Sequence, residues 1–513
     1  MKALDLIIIF GYLVGIVLFG TWFSRRQKTT RDYFLGNRSV PWWAVAFSIV
    51  ATETSTITFI SVPGIAFARG GNFQFLQLVF GYLLGRIVIS ILFIPSYFRG
   101  ELLTVYQLLD QRFGGKIKMI AASLFVVMRN IADGIRLLLT AIVLAAVYAA
   151  FQPSANPEPI IIASIILIGL AMIIFTYFGG MEAVIWVEVV QLGIYIAGAI
   201  AAAIVLLNSI DGGLATVSNV ATQFGKYSLF DFAFDHTRVY TFWAGLIGGC
   251  FLTMSTHGTD QYIVQRYLCT DRARHAVVAL LTSGAIVLVQ FIGFLFIGVL
   301  LFAFYQPFAD PAYATAQSTA FPFTGGDRVF PDFITKYMPS GLSGLVVAAI
   351  FAAAMSSSLN SIAATAVNDL YKPFRPDRDD KHYLKMSHLL TLVWGVVQIG
   401  VALAVRNQPG SALGMALSIA SLINGPILGV FLVGTLLRRV SQPAALIGML
   451  VSLGSMVAVF LATRIAWTWY AFLGSLITFV VAWAASFAFA PSGKEVGPVG
   501  TIGPMVLEDR KEQ

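Results

Sequence analysis

Charge is what this chain has least of. Only 11% of its 513 residues are charged, whereas an ordinary soluble domain carries about 25% charged residues. The chain is 58% hydrophobic with a mean hydropathy of +0.81. Apolar runs of about 20 residues, the length that crosses a bilayer, recur from end to end. This composition excludes a soluble globular protein and predicts an all-α polytopic membrane protein.

Cysteine is also scarce. The two cysteines, Cys250 and Cys269, lie in or beside one apolar segment, and their spacing matches neither a disulfide framework nor a metal motif. The sequence also lacks a His-Glu-x-x-His metal motif and a nucleophile motif. These features argue against an enzyme, and we expect no catalytic residues.

The hydropathy pattern predicts about thirteen transmembrane helices. They are 4–23, 42–63, 73–97, 117–150, 160–178, 183–208, 239–264, 275–305, 341–370, 387–405, 411–437, 442–463 and 466–490. Basic residues such as Arg25, Arg26 and Arg31 follow the first span, as expected of a retained helix rather than a cleaved signal peptide. Most of the 33 Lys and Arg residues lie in alternate loops, so the positive-inside rule predicts an external N-terminus and a cytoplasmic C-terminus.

The spans divide the chain into six segments if spans two to six and seven to eleven form two halves of opposite orientation. The segments are a leading helix (1–24), a first half (41–208), an outer loop (209–238), a second half (239–437), two trailing helices (438–490) and a cytoplasmic tail (491–513). The outer loops 209–238 and 306–340 are rich in Pro, Gly and aromatic residues, and we expect lids or short helices there.

Polar residues interrupt two of the spans. Residues 51–56 of the second span read Ala-Thr-Glu-Thr-Ser-Thr, and residues 255–261 of the seventh read Ser-Thr-His-Gly-Thr-Asp-Gln. Unwound polar backbone persists in a membrane only beside a protein-lined cavity. Each interruption lies in the first helix of its half, and such a matched pair is typical of a transporter's central site. Hydroxyl groups that bond back to their own helix are the alternative, which the paired carboxylates Glu53 and Asp260 disfavour.

Ionisable residues inside membrane spans mark functional sites by default. Arg129, Asp133 and Arg136 are four and three residues apart in the fourth span, so they share one helix face. Asp133 could pair with both arginines in a structural cluster. Alternatively, one carboxylate leaves a surplus guanidinium that binds a solute carboxylate bidentately, unless Glu53 is its countercharge.

Eight polar residues on the broken helices, the adjacent third span and the charged face are candidates for solute contacts. They are Glu53, Ser55, Thr58, Gln77, Arg129, Arg136, Thr256 and His257. Two of them have a structural alternative: Gln77 as an interhelical hydrogen bond, and His257 as a packed polar residue rather than a proton relay.

Three segments resemble motifs of the sodium/solute symporter family. Residues 176–191 (Thr-Tyr-Phe-Gly-Gly-Met-Glu-Ala-Val-Ile-Trp-Val-Glu-Val-Val-Gln) are similar to its signature Tyr-Ser/Thr-x-x-Gly-Gly-Leu-x-Ala-Val-x-Trp-Thr-Asp-x-x-Gln. Residues 258–266 resemble its helix-end motif, and residues 352–371 resemble its sodium-site helix. The resemblance covers nearly the whole chain. It implies a LeuT-type fold with one leading helix, a five-plus-five inverted repeat and two trailing helices.

The resemblance also implies a sodium site between the first broken helix and the ninth span. Its ligands map to the carbonyls of Ala51, Thr54 and Ala353 and the hydroxyls of Ser356 and Ser357. The interval from Ser356 to Asn360 is shorter than in relatives, so an alignment from the far end would put alanines at the two hydroxyl positions. We favour the first alignment because the interval from Gly344 to Ser356 keeps the family spacing. Glu188 stands where some members have an Asp that binds a second sodium, and it is a candidate for that role.

Together these features predict a secondary active transporter in the cell membrane. Sodium would be the coupling ion, and a small organic solute that could bear a carboxylate would enter the cell by alternating access. A proton-coupled symporter on the same fold is the nearest alternative, and a channel or a transporter-like solute sensor is the alternative of a different class. We expect no nucleic-acid partner and no obligatory protein partner, because the net charge of +8 follows the asymmetry of the loops.

Overall fold

A computed structural model of the protein describes residues 3–22, 28–54, 56–100, 102–151, 156–309, 326, 329–355, 358–406 and 411–490. In these ranges every regular element is a helix, as expected where lipid surrounds the chain and a segment must satisfy its own backbone groups. Three predicted site residues, Ser55, Ser356 and Ser357, lie outside the described residues.

The helices follow one another along the chain with short connections. The first ten are α1 (Ala3–Trp22), α2 (Thr30–Leu35), α3 (Trp42–Glu53), α4 (Thr56–Phe67), α5 (Leu76–Leu92), α6 (Ile94–Tyr97), α7 (Tyr106–Phe113), α8 (Gly115–Phe151), α9 (Pro157–Asn208) and α10 (Gly213–Gln223). The others are α11 (Gly249–Gly258), α12 (Gln261–Leu268), α13 (Ala273–Tyr305), α14 (Val329–Lys336), α15 (Leu342–Met355), α16 (Leu359–Thr365), α17 (Asp380–Val405), α18 (Ser411–Leu436), α19 (Gln442–Ala462) and α20 (Tyr470–Ala485). The short helices α10 and α14 lie in the two outer loops, as expected.

Within the described ranges, six helices are long and apolar enough to cross a membrane, or seven when the bent pair α3–α4 is counted as one span. One of the six, α9, covers two of the predicted spans, 160–178 and 183–208. It bends at Gly180, which takes φ 60° and ψ −159°, a backbone conformation that is essentially restricted to glycine.

The break predicted in the second span is present. Helix α3 ends at Glu53, and the axis of α4 differs from that of α3 by 59°. The Thr54 hydroxyl donates to the carbonyl of Val50 (2.7 Å) and accepts from Gln290 Nε2 (2.7 Å). The Thr58 hydroxyl donates to the carbonyl of Glu53 (3.1 Å). Hydroxyl groups therefore bond to the backbone beside the break, as the alternative interpretation expects, while the role of the break in a transporter's central site stays a prediction.

The seventh span is also broken, at the end of the predicted stretch. Helix α11 ends at Gly258 and α12 begins at Gln261. Between them Asp260 is extended (φ −93°, ψ 120°), and its Oδ1 accepts from the backbone nitrogen of Tyr262 (2.9 Å). The carboxylate thus caps α12, where the positive end of the helix dipole favours an anion.

The ninth span has an interruption that the sequence does not predict. Helix α15 ends at Met355 and α16 begins at Leu359. Asp133 of α8 lies at the start of α16, where its Oδ2 accepts from the backbone nitrogen (3.0 Å) and the hydroxyl (2.5 Å) of Ser358. The run of Ala and Ser residues in the sequence predicts a close-packed helix. Small residues are compatible with a helix break as well, so the sequence does not indicate the break.

Two basic residues outside the predicted spans are fully buried. Arg266 lies inside α12, and Lys226 of the loop 209–238 packs against the end of α4. Helix α12 extends to Leu268, which corrects the predicted end of the seventh span at 264, whereas Lys226 keeps its place in the loop. The orientation stays a prediction.

We predict that Gly180→Ala destabilises the protein, because a Cβ atom disfavours the φ and ψ of the bend by about 1–3 kcal/mol. Gly193→Ala is the matched control on the same helix: Gly193 has no heavy atom within 4 Å of a built Cβ, and alanine is the better helix former by about 0.5–1 kcal/mol. Thermal unfolding in one detergent should give a lower midpoint for Gly180→Ala only. Equal midpoints for the two variants would contradict the assigned bend.

Candidate functional site

The two broken spans meet in a cluster of ionisable side chains from three helices. Glu53 at the end of α3 accepts from Arg86 Nη2 of α5, and Glu53 Oε1 lies 2.6 Å from His257 Nε2 of α11. His257 Nδ1 is 2.9 Å from the Thr256 hydroxyl. The cluster joins three predicted solute contacts, Glu53, Thr256 and His257, and Thr58 adjoins it through the carbonyl of Glu53.

Glycines bring Arg86 to this cluster by letting α5 approach the seventh span. A Cβ on Gly245 would lie 2.6 Å from the carbonyl oxygen of Gln77, and one on Gly249 would lie 2.6 Å from that of Leu78. These distances are below van der Waals contact, so larger residues would push the helices apart. Small residues four apart are a common device for close packing in membranes. Arg86 is 1% exposed as a result.

A second cluster lies where the charged face of α8 meets the break before α12. Arg129 Nη2 donates to Asp260 Oδ2, whereas Arg136 Nη1 lies 3.8 Å from Asp133 Oδ1 and donates to the Tyr262 hydroxyl (3.3 Å). The Arg129 and Arg136 guanidinium carbons are 4.6 Å and 6.0 Å from the centre of the Tyr262 ring, within the range of cation–π attraction.

This arrangement changes the charge balance that the sequence suggested. Arg129 pairs with the carboxylate of Asp260, so Asp133 is not the countercharge of both arginines. Glu53 pairs with Arg86 and is not the countercharge of either. The surplus guanidinium inferred from Asp133 alone is therefore not found among the described residues.

Arg129 nevertheless keeps one hydrogen-bond donor unused. Its Nε is buried and has no hydrogen-bond partner within the described structure, while Nη2 is engaged by Asp260. The Nε and Nη2 hydrogens form one of the edges with which arginine binds a carboxylate through two parallel bonds. Since an unsatisfied buried donor is unfavourable by about 1–3 kcal/mol, Arg129 Nε is suited to receive an acceptor from outside the protein.

A third cluster surrounds Glu188 of α9. Arg266 of α12 donates from Nη2 to Oε1 (2.5 Å) and from Nε to Oε2 (3.2 Å), and both side chains are fully buried. Ser48 of α3 also donates to Oε2, and the Thr52 hydroxyl lies 3.1 Å from Oε1. The carboxylate is thus surrounded by donors and ties the inner half of the first broken span to α9 and α12.

Gln77 lies apart from the three clusters. Its Nε2 donates to the carbonyls of Gln74 (3.1 Å) and Tyr240 (3.3 Å), and its Oε1 accepts from the backbone nitrogen of Asp231 (2.9 Å). The amide is completely buried and fully bonded. The geometry favours the structural alternative, in which Gln77 holds the outer loop against α5.

The predicted sodium ligands are described only in part. Ala51 and Thr54 are buried at the end of α3. Ala353 lies near the end of α15, which packs against α4. The structure therefore brings the helices of the predicted site together, while Ser356 and Ser357 fall outside the described residues.

Sequence reasoning did not predict the contacts of Ser48, Tyr262, Arg266 and Ser358, and it did not identify Glu53 as the partner of Arg86. Arg86 and Arg266 are ionisable residues close to or within apolar segments, which is the signal that could have singled them out. Tyr262 and Ser358 carry no such signal, since their roles depend on helices that are distant in sequence.

Comparison with known proteins gives a consistent result. The family described as "Sodium:solute symporter family" matches residues 33–452. The sodium/sialic acid symporter NanT of Aliivibrio fischeri is 31% identical over 83% of this chain and 82% of its own length. The sodium/sialic acid symporter SiaT of Proteus mirabilis is 31% identical over 82% of each. A sodium-dependent multivitamin transporter of Oryctolagus cuniculus is 29% identical over 83% of this chain.

Solved structures agree with the sequence comparison. A substrate-bound, outward-open Na⁺-coupled sialic acid symporter superposes with a TM-score of 0.82 at 29% identity, covering 96% of this chain and 99% of the other. The nucleobase-cation-symport-1 transporter MHP1 shares the fold alone, with a TM-score of 0.55 at 14% identity over 88% of this chain. These relatives are symporters rather than enzymes, and sodium is the coupling ion of the sialic acid symporters. The chain is an integral membrane protein that belongs to the sodium:solute symporter family.

Proposed function

We propose that this protein carries an acidic sugar of the sialic acid class into the cell together with sodium, by alternating access. Two of its relatives are named for this activity, and each aligns with more than four fifths of the chain. Another group of relatives is named for monocarboxylates. A carboxylate is thus the chemical feature that these named solutes share.

Arg129 is the observation that carries the proposal. Its unused Nε lies beside Nη2, so a solute carboxylate can accept a hydrogen bond from Nε. The hydrogen bond from Nη2 then either stays with Asp260 or passes to the second oxygen of the solute carboxylate. Tyr262 stacks on the same guanidinium group and adds cation–π attraction that keeps it in place beside the break. Arg136 is less suited, because it is engaged by Asp133 and the Tyr262 hydroxyl. Glu53, Ser55, Thr58, Thr256 and His257 would contact the polar groups of the solute from the two breaks.

The proposed architecture has thirteen transmembrane helices in a LeuT-type arrangement. A leading helix precedes two inverted halves, 41–208 and 239–437, which are separated by the outer loop 209–238. Two trailing helices and a cytoplasmic tail follow, with the N-terminus outside the cell. The breaks in α3–α4 and α11–α12 support this division, because they occupy corresponding positions of the two halves.

Sodium would bind where the first break meets the ninth span. The carbonyls of Ala51, Thr54 and Ala353 and the hydroxyls of Ser356 and Ser357 would provide five oxygen ligands. The change of direction after Thr54 supports the site, because it exposes carbonyl groups that a continuous helix would engage.

Glu188, the candidate for a second sodium, has a different proposed role. A sodium ligand must turn lone pairs toward the ion, whereas the lone pairs of Glu188 face Arg266, Ser48 and Thr52. Arg266 would therefore act as a permanent cation in place of a second sodium.

The sodium site predicts that Ser356→Ala and Ser357→Ala each raise the sodium concentration for half-maximal uptake by about tenfold, since one ligand is lost (about 1.4 kcal/mol). The control is Ser475→Ala on α20, which removes a buried hydroxyl that is distant in sequence from the predicted sodium ligands. The measurement is uptake of labelled sialic acid into proteoliposomes at varied external sodium. Unchanged sodium dependence in both variants would refute the assigned ligands, and sodium-independent uptake driven by a pH gradient would refute sodium coupling.

The proposed carboxylate contact predicts that Arg129→Lys raises the KM for sialic acid by about tenfold or more. Lysine keeps the positive charge beside Asp260, but its compact ammonium group does not present the rigid pair of parallel N–H donors that a guanidinium edge presents. Arg136→Lys is the matched control and should change KM much less. A neutral N-acetylated sugar, which lacks the carboxylate, should compete only weakly with labelled sialic acid for uptake by the wild type. Equal effects of the two lysine variants would show that Arg129 has no special role.

The Glu188–Arg266 pair predicts that Arg266→Met destabilises the protein by about 3–5 kcal/mol, because it leaves a buried carboxylate unpaired. The double variant Glu188→Gln with Arg266→Met should recover much of this loss and keep the sodium Hill coefficient of the wild type. Arg238→Met, which breaks a pair with a 49% exposed arginine, should change the stability by about 0–1 kcal/mol. A lower Hill coefficient in the double variant would instead support a second sodium at Glu188.

A further inference from the structure

Lys226 of the outer loop is completely buried, although nothing in the proposed transport site uses it. Its Nζ donates to three successive carbonyls at the end of α4, those of Ala66 (2.9 Å), Phe67 (3.2 Å) and Ala68 (2.7 Å). It also lies 3.9 Å from the centre of the Phe302 ring of α13. One side chain thus joins the outer loop to two membrane helices.

The backbone of Lys226 is fixed by the end of α10. Gly225 takes φ +62°, the left-handed conformation that terminates many helices. The nitrogen of Gly225 donates to the carbonyl of Thr222 (3.2 Å), and that of Lys226 donates to the carbonyl of Ala221 (2.8 Å). This pair of bonds is the Schellman motif, so α10 determines where the lysine side chain starts.

The acceptors around Nζ match an ammonium group in number and in charge. An ammonium has three N–H donors, one for each carbonyl, whereas a neutral amine has two. The last carbonyls of a helix have no partner within the helix, and the negative end of the helix dipole attracts a cation. The Phe302 ring adds cation–π attraction. An ammonium group at Nζ can therefore bond all three carbonyls at once.

We propose that Lys226 is a positioning residue for transport: it fixes α4, the outer half of the first broken span, to α10 and α13. These elements then move as one body, and the break at Thr54 is held where the predicted sodium site needs it. The inference rests on the proposed function for its consequence in transport, but the attachment of α4 can be tested without it.

Burial lowers the pKa of Lys226 from its ordinary value of 10.5 to about 7. As the pH rises through this value the ammonium is lost, and one of the three carbonyls loses its donor. Three other described ionisable groups lie on the elements around Lys226. Arg69 is exposed and follows α4, and Tyr227 is the next residue of the loop. Tyr305 is the last residue of α13, and its hydroxyl donates to Asp332 (2.8 Å). Burial raises the pKa of Tyr227 above its ordinary value of 10.0, and α10 has no ionisable side chain.

The test compares Lys226→Met, Lys226→Arg and Lys336→Met with the wild type in lipid nanodiscs and proteoliposomes. Lys336 is a 62% exposed lysine paired with Asp332 (2.6 Å), and its variant is the matched control. We expect faster hydrogen–deuterium exchange at the end of α4 in Lys226→Met alone. We also expect about a tenfold higher half-saturating sodium concentration for this variant at pH 6.5. Lys226→Arg keeps a cation with several donors at this position, and it should shift both quantities less than Lys226→Met does.

Two results would overturn the inference. If exchange in α4 is the same for Lys226→Met and Lys336→Met, the lysine does not hold the helix. If exchange increases but sodium dependence stays as in the wild type, the lysine has only a structural role. Absence of sodium-driven uptake in the wild type would instead refute the proposed function, and the exchange measurement would still decide whether Lys226 holds α4.

Discussion

The pairing of buried charges is the constraint on which the rest of this structure depends. A charged side chain in a membrane interior is strongly unfavourable unless a partner compensates it. The arginines 86, 129, 136 and 266 each have a carboxylate partner. The seventh span supplies one member of two of these pairs and contacts the other two. It supplies His257 to Glu53, Asp260 to Arg129 and Arg266 to Glu188, and its Tyr262 adjoins Arg136.

Because one broken helix supplies so many partners, the three clusters are not independent. Asp260 has two tasks: its Oδ2 compensates Arg129, and its Oδ1 caps α12. An anionic solute that replaces Asp260 as the partner of Arg129 would leave Asp260 only its role as the cap of α12. The same helix contains Arg266, which pairs with Glu188. Binding at one end of α12 is thereby connected to the pair that holds α3. The seventh span can transmit the presence of a solute to the first broken span through contacts that already exist.

Much of this arrangement follows from the sequence, and the rest does not for a physical reason. Hydropathy and polar residues in apolar spans located the helices and both breaks, because these signals are local. The ion pairs are not local: Glu53 meets Arg86 and His257, and Glu188 meets Arg266, across long stretches of chain. Arg129 and Arg136 illustrate the limit. Their spacing puts both on one face of α8, and only the position of α12 shows that their partners differ.

The same limit explains the interruption in the ninth span. Ser358 and its neighbours are small residues, which are typical of close helix packing and do not indicate a break. The break is stabilised from outside, because Asp133 of α8 binds the first turn of α16. A sequence pattern within the ninth span cannot reveal a cap that another helix provides. Asp133 keeps Arg136 as one of its two possible partners through Oδ1, while its Oδ2 caps α16.

The two halves of the first broken span have different polar attachments, although both also pack against α13. Ser48 and Thr52 attach α3 to Glu188 and through it to Arg266. The carbonyls at the far end of α4 attach that half to Lys226. Between these attachments the Thr54 hydroxyl accepts from Gln290 of α13. A relative movement of α3 and α4 would change the geometry at Thr54, which is also where a sodium ligand of the family maps. An ion bound there would connect the two halves directly, without a longer chain of coupled contacts.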